Sequence, residues 1–247
     1  MSDGIYSALS GAVANQRSLE VVANNVANAN TTGYRADRVS FTETVAQAQT
    51  ESAAPEDLSY VALSQIRFDE STGSMEQTGN PLDVAIQGRA WLTVETPDGE
   101  RYTRAGSLRT NAEGTLVTHE GLRVLDESSQ PGQPVPIQIP PGGGEIRITE
   151  NGEVHVGETQ VGQLQLREFD RGQLEKQGLT LFTANGAGRP ATDVAVLQGY
   201  LEGSNINAVA GLNELINTSR SFEAFQRVIQ GFRDIDQRTA RDIGGNR

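Results

Sequence analysis

Near the start of the chain, mostly hydrophobic positions recur at alternating spacings of four and three, with one polar Gln among them. Over residues 4–28 they fall at Ile5, Leu9, Ala12, Gln16, Leu19, Ala23 and Val26, a heptad seam along one side of a helix. A partner stretch runs through residues 205–241, where Leu215, Thr218, Phe222, Phe225, Ile229 and Phe232 repeat the spacing and Ala208 and Gly211 continue it upstream. Ala12, Gln16, Ala23 and Thr218 are weak anchors. Each helix therefore needs a partner surface, from the other terminus or from another copy.

Between these stretches the period changes from helix to strand. Leu82, Val84 and Ile86 alternate behind the turn Gly79-Asn80-Pro81. Residues 91–96 and 101–104 flank Pro97-Asp98-Gly99, a hairpin signal. Ile146 and Ile148 oppose Val154 and Val156 across Asn151-Gly152, and Leu164, Leu166 and Phe169 close the series. Upstream the pattern is mixed: residues 39–49 fit a short helix or an extended arm, residues 50–57 have linker composition, and residues 60–68 alternate as a strand. The expected fold class is α+β, with N- and C-terminal helices paired as an antiparallel coiled coil and a mainly antiparallel β middle domain. The expected organisation is a terminal helical core of residues 1–30 plus 205–247, an extended connecting region 31–78, and a β-rich outer domain 79–204.

Composition narrows the partners. A chain of 247 residues has the length for two domains. The net charge is −12, and of 20 basic residues only Lys176 is a lysine. Nucleic acid is excluded as a partner, because binding phosphates requires a positive surface. The same charge keeps subunits apart, so self-assembly has to come from apolar seams. With no cysteine, disulfides and thiolate chemistry are out of reach. The opening MSDGIYS has neither a basic nor a long apolar segment, and no run approaches the ~18 apolar residues of a membrane span. Direct membrane insertion is not expected, and any export is expected to proceed without a cleaved signal peptide.

Catalytic chemistry finds little support. The two histidines, His119 and His155, fit ordinary surface positions, and no Gly-x-Ser-x-Gly frame supports a nucleophile. Pairs such as Glu168 with Asp170 or Asp234 with Asp236 arise by chance among 32 acidic residues. The glycine run in residues 140–144 lacks a following Gly-Lys-Ser/Thr, so it reads as a turn and not a phosphate cradle. No catalytic, metal or cofactor site is expected. Asp234, Asp236, Arg238, Arg241 and Asp242 fit either a solvated helix end or pairing between neighbouring subunits.

Behind the opening helix, residues 24–35 read Asn-Asn-Val-Ala-Asn-Ala-Asn-Thr-Thr-Gly-Tyr-Arg. Asn and Thr side chains compete for the helix backbone, and Gly33 is suited to positive φ, so the helix stops here. The run from Ala23 through Tyr34 resembles the signature of the bacterial flagellar axial proteins, the rod and hook family, with Asn24, Asn25, Asn28, Thr32, Gly33 and Tyr34 in the motif. Residues 79–88, with Gly79, Asn80 and Asp83, resemble a second family block, and residues 103–108 and 111–117 resemble further ones. Arg89-Ala90-Trp91-Leu92 departs from the family's Gly-Phe-Phe. Residues 198–207, with Glu202, Ser204 and Asn205, resemble the family hinge, and residues 215–223 the helix after it, with Ser219 where Gln is usual.

The resemblance implies a structural subunit that assembles with other axial proteins and copies of itself into a helical tube. That tube spans the periplasm and transmits torque from motor to hook. It also implies contacts with the flagellar export apparatus and the rod cap. The assembly interface then comprises Ile5, Leu9, Ala12, Leu19, Ala23, Val26, Leu215, Phe222, Phe225, Ile229 and Phe232. Residues 41–75 form a shorter stretch than in the distal rod member, which implies a proximal one; a distal rod or hook-type role stays open. Outside the family, a secreted β-rich carbohydrate-binding protein or enzyme, or a free-standing coiled-coil adaptor, fits the same pattern.

Overall fold

A computed structural model describes residues 2–47, 57–130, 132–142, 144–186 and 188–244. The linker-like stretch 50–57 lies outside the described residues except for Asp57, and Gly143 of the glycine run lies outside them too. The fold is α+β: two helices bracket strands whose pairings are all antiparallel among the described residues. The chain divides into two compact units.

The first unit comprises Met1–Ala27, Asp37–Asp69 and Ile206–Arg247. It contains α1 (Ser2–Ala27) and α2 (Ala208–Gly244). Asn207 caps α2, its Oδ1 accepting from the Ala210 N–H at 3.0 Å. The helices lie side by side and antiparallel. A methyl added at Gly11 would come within 2.6 Å of the Phe225 ring, and one at Gly211 within 2.9 Å of Val26. Ala8, Gly11, Ala12, Ala14 and Val22 are buried on α1. Volume explains that choice: an aromatic ring on α2 approaches only where α1 carries a small side chain.

In this unit Asp37–Gln47 pairs antiparallel with Asp57–Phe68, in register from Asp37 opposite Phe68 and with a bulge between Ser40 and Phe41. Of the helix or extended arm open to residues 39–49, the described residues 39–47 adopt the extended form, and residues 48 and 49 lie outside the described residues. Asn25 holds the start of the first of these strands in both directions: its Nδ2 donates to Asp37 O at 2.8 Å, and its Oδ1 accepts from the Asp37 N–H at 2.9 Å.

The second unit comprises Asn28–Ala36 and Glu70–Asn205. Its largest sheet runs in the order Leu174–Gln177, Leu181–Ala184, Gly99–Thr103, Trp91–Thr96, Arg123–Val124, Leu116–Thr118, Leu108–Thr110. The hairpin expected around Asp98-Gly99 forms, with Thr96 opposite Gly99. So does the one around Asn151-Gly152, with Ile146 opposite Val156 and Ile148 opposite Val154. Val84, Ile86, Leu92, Val94, Leu116, Ile137, Ile148, Val154, Leu164 and Val196 share one buried apolar cluster. At ~25 cal/mol per Å² of apolar surface, such a cluster is the main favourable term in this unit.

Candidate functional site

Of the family-motif residues, Gly33, Tyr34 and Glu202 come together at one place in the second unit, while Asn24 and Asn25 lie in the first. Gly33 takes φ +70° and passes so close to the backbone that a methyl there would sit 2.3 Å from Ala105 N. Its N–H donates to Glu202 O at 2.8 Å. That contact threads residues 33–35 into the interior, where Tyr34 and Arg35 are fully buried. Glu202, also fully buried, accepts from Arg35 Nη2 at 2.6 Å and from Arg104 Nη1 at 3.1 Å. Arg104 donates further to Ile86 O at 2.8 Å and Gly88 O at 2.7 Å.

Aromatic rings complete the cluster. The Trp91 ring centroid lies 5.7 Å from the Arg35 guanidinium carbon and 5.2 Å from that of Arg104, within cation–π range. Phe182 packs on Trp91 with ring centroids 4.5 Å apart. Lys176, the sole lysine, sits 3.9 Å from the Tyr34 ring centroid and donates to Arg35 O at 2.8 Å. Burial lowers the pKa of Arg104 to about 10, against the upward pull of Glu202 and with a further downward push from Arg35. The guanidinium is therefore charged at neutral pH.

Around this centre the remaining motif residues tie backbone segments together. Glu202 Oε1 accepts from Gly73 N at 3.0 Å. Asn205 Oδ1 accepts from Ala36 N at 2.8 Å, and its Nδ2 donates to Ser71 O and Oγ at 3.1 Å each. Asn80 Nδ2 donates to Asp83 Oδ1 at 3.0 Å, and Thr78 Oγ1 to Asp83 Oδ2 at 2.7 Å, closing the second block's turn. Asn28 receives the Thr31 N–H on its carbonyl at 3.1 Å and the Thr31 hydroxyl on its Oδ1 at 3.1 Å. Ser204 is buried, and Asn24 is exposed on α1. Thr31 and Thr32 border a cavity of about 300 Å³ together with Thr103, Ser107 and Thr180.

The seam positions divide by exposure. On α1, Ala12 is buried, Ile5, Leu19 and Val26 are half-buried, Ala23 is exposed and Leu9 is 51% exposed. On α2, Leu215, Phe222, Phe225, Ile229 and Phe232 are all half-buried. Asp234, Arg238 and Arg241 are exposed on α2; the side chains of Asp236 and Asp242 lie outside the described ones. The glycine-run turn borders an open depression of about 380 Å³ with no Lys or Arg among its described lining residues. No group of three or more His, Cys, Asp or Glu suited to a metal occurs among the described residues.

Inspection of the sequence missed Arg35, Arg104 and Trp91. Each left a trace: Arg35 follows the first motif directly, Arg104 lies in the block at residues 103–108, and Trp91 occupies the segment that departs from the family pattern.

The family comparisons map onto these same segments. A basal-body rod model matches residues 5–35, a hook protein FlgE/F/G D1 domain model residues 85–156, and a rod FlgEFG C-terminal model residues 197–242. A FlgF rod protein of Rhizobium meliloti is 33% identical, with all of both chains covered. The chain belongs to the flagellar basal-body rod protein family. A FlgF of Caulobacter vibrioides is 34% identical over 99% of each chain, and a FlgG of Agrobacterium fabrum 36% identical over 90% of this chain and 92% of the relative. As a FlgF-like member of the rod family, the chain is a structural rod subunit, and membership implies assembly with other axial proteins. No helix among the described residues is long and apolar enough to cross a membrane.

Proposed function

We propose that this chain assembles with other rod proteins and with copies of itself into a helical tube that carries torque from motor to hook. The observation that carries this reading is the full-length similarity to FlgF-named relatives. In the assembled rod, residues 1–30 and 205–247 form the core, residues 31–78 connect, and residues 79–204 form an outer layer. α1 and α2 pair as an antiparallel coiled coil. Seam residues left exposed or half-buried in one copy, such as Leu9, Ala23, Leu215 and Phe222, are covered by neighbouring copies. A heterologous contact repeated with a rotation and rise that do not close builds such a tube. The role requires no catalysis, metal, cofactor, nucleic acid or membrane insertion. Its further partners are the export apparatus and the rod cap, and its place is the periplasm-spanning part of the basal body.

Within the family the proximal, FlgF role is favoured by coverage of all of both chains against 90–92% for the Agrobacterium FlgG. That FlgG's 36% identity keeps the distal role as the second reading. Expression in strains lacking FlgF or FlgG separates them: rescue of swimming in the first alone supports FlgF, and in the second alone FlgG. Leu19→Asp and Phe222→Asp each place a charge in the seam. Loss of swimming with native Trp91 fluorescence is expected, and normal swimming in both variants overturns the assembly reading.

A further inference from the structure

The chain passes between its two units four times, after residues 27, 36, 69 and 205. On the second unit's side, the segments at the last three of these crossings are bound to one another. Glu202 O holds Gly33 N, Glu202 Oε1 holds Gly73 N, and Gly203 N donates to Ser74 O. Asn205 holds both Ala36 N and Ser71. Segments 33–36, 71–74 and 202–205 therefore meet in a single knot, and Arg35 inserts its side chain into the centre of it.

The centre is poorly composed for stability. Two guanidiniums face one carboxylate, with Arg35 and Glu202 fully buried and Arg104 4% exposed. Arg35 Nε, Arg35 Nη1 and Arg104 Nε have no acceptor among the described residues. Desolvation of buried charges cancels much of their attraction, and apolar replacements of similar volume are often neutral or stabilising. A salt bridge has one property that an apolar cluster lacks: a shifted pairing leaves a charge buried without its partner, so only one alignment is tolerated. Removing Arg35 would leave Arg104 and Glu202 as a balanced pair and would remove two of the three unsatisfied nitrogens.

We infer that Arg35 is a positioning residue: through Glu202 it sets the alignment in which segments 33–36, 71–74 and 202–205 leave the second unit, and it adds no net stability. In the rod subunit proposed above, these exits lead to the paired strands Asp37–Gln47 and Asp57–Phe68 and to α2, so only the effect on motility rests on that reading. The alignment of the exits in the isolated subunit does not.

The absence of cysteine permits spin labels at two introduced cysteines, Asn30→Cys and Thr72→Cys, both exposed positions of the second unit. In this labelled full-length chain, Arg35→Met is expected to keep the Trp91 unfolding midpoint within about 3 °C of its parent. The 30–72 distance distribution is expected to broaden at least about twofold as the segment loses its fixed alignment. A larger fall in midpoint overturns the inference, because Arg35 then stabilises the unit; an unchanged width overturns it as well, because the segment is then held without Arg35. Arg35→Leu provides a second apolar replacement that keeps the Arg104–Glu202 pair and its backbone bonds, for which the same midpoint and broadening are expected and either departure overturns the inference. Swimming of cells carrying unlabelled Arg35→Met is expected to fall about tenfold, the scale of 1.4 kcal/mol. Broadening with normal swimming leaves the positioning role intact and counts against the rod reading instead.

Discussion

The helix pair of the first unit and the charged knot of the second are built on opposite principles. α1 meets α2 through small residues, while Leu9, Val13, Leu212, Ile216 and Val228 keep 48–52% of their surface exposed. Tyr34, Arg35 and Glu202 keep none. The helix pair tolerates small slips, since apolar contact is non-directional and its outer faces are unsaturated. The knot tolerates none, since each misplacement isolates a charge. A subunit meant to be completed by others has reason to leave its helices adaptable and its folded body exact in alignment.

Three substitutions probe that contrast, aided by the single tryptophan. Trp91 sits in the knot, so its fluorescence reports the second unit, while helical circular dichroism reports α1 and α2. The largest effect is expected for Glu202→Ala, which leaves two buried guanidiniums without their carboxylate: about 3–5 kcal/mol of the second unit's stability is lost, measured by Trp91 in a urea titration. A loss under about 1 kcal/mol would place the knot's contribution at the level of a surface ion pair. Gly33→Ala comes next. Positive φ combined with a methyl 2.3 Å from Ala105 N is expected to remove at least about 2 kcal/mol, again in the Trp91 transition.

The smallest effect concerns Asp126 and sharpens the contrast by placing a polar cluster at the partly exposed edge of the same unit. Burial opposes ionisation there, but hydrogen bonds from the Ser128 hydroxyl and from the Gln163 and Ser128 N–H groups outweigh it and hold the carboxyl below its usual pKa. A carboxyl depressed in the folded state adds stability above its unfolded pKa of about 4 and loses it as pH falls through the folded value. Asp126→Asn is expected to lower stability at pH 7 by under about 1 kcal/mol, in the Trp91 transition, and the difference from the parent is expected to shrink as pH falls through the folded pKa. An unchanged acid profile in the variant would show that other carboxylates carry the dependence.

Much of the architecture was legible before any coordinates. Asp98-Gly99 and Asn151-Gly152 mark hairpins because tight strand turns favour residues that accept positive φ, and both form. Asn24 through Gly33 announced the end of α1, which stops at Ala27; the Asn25 side chain bonds the Asp37 backbone and the Asn28 side chain the Thr31 hydroxyl. Residues 39–49 were ambiguous because a short mixed stretch satisfies both periods; pairing with Asp57–Phe68 decides it for residues 39–47. The knot was not legible as a site. Arg35 and Glu202 are separated by 167 positions, and no local pattern announces a partner at that distance.

The sequence by itself determined where helices start and stop, where strands turn, and to which family the chain belongs, because capping, periodicity and turn chemistry act over a few neighbouring residues. Tertiary structure alone decided that Gly11 receives the Phe225 ring and that Ala8 and Val22 are buried while Leu9 is half exposed. It also decided that Arg35, Arg104 and Glu202 share one buried centre. Those outcomes depend on volume and charge arriving from distant parts of the chain, and both are settled only when the segments meet.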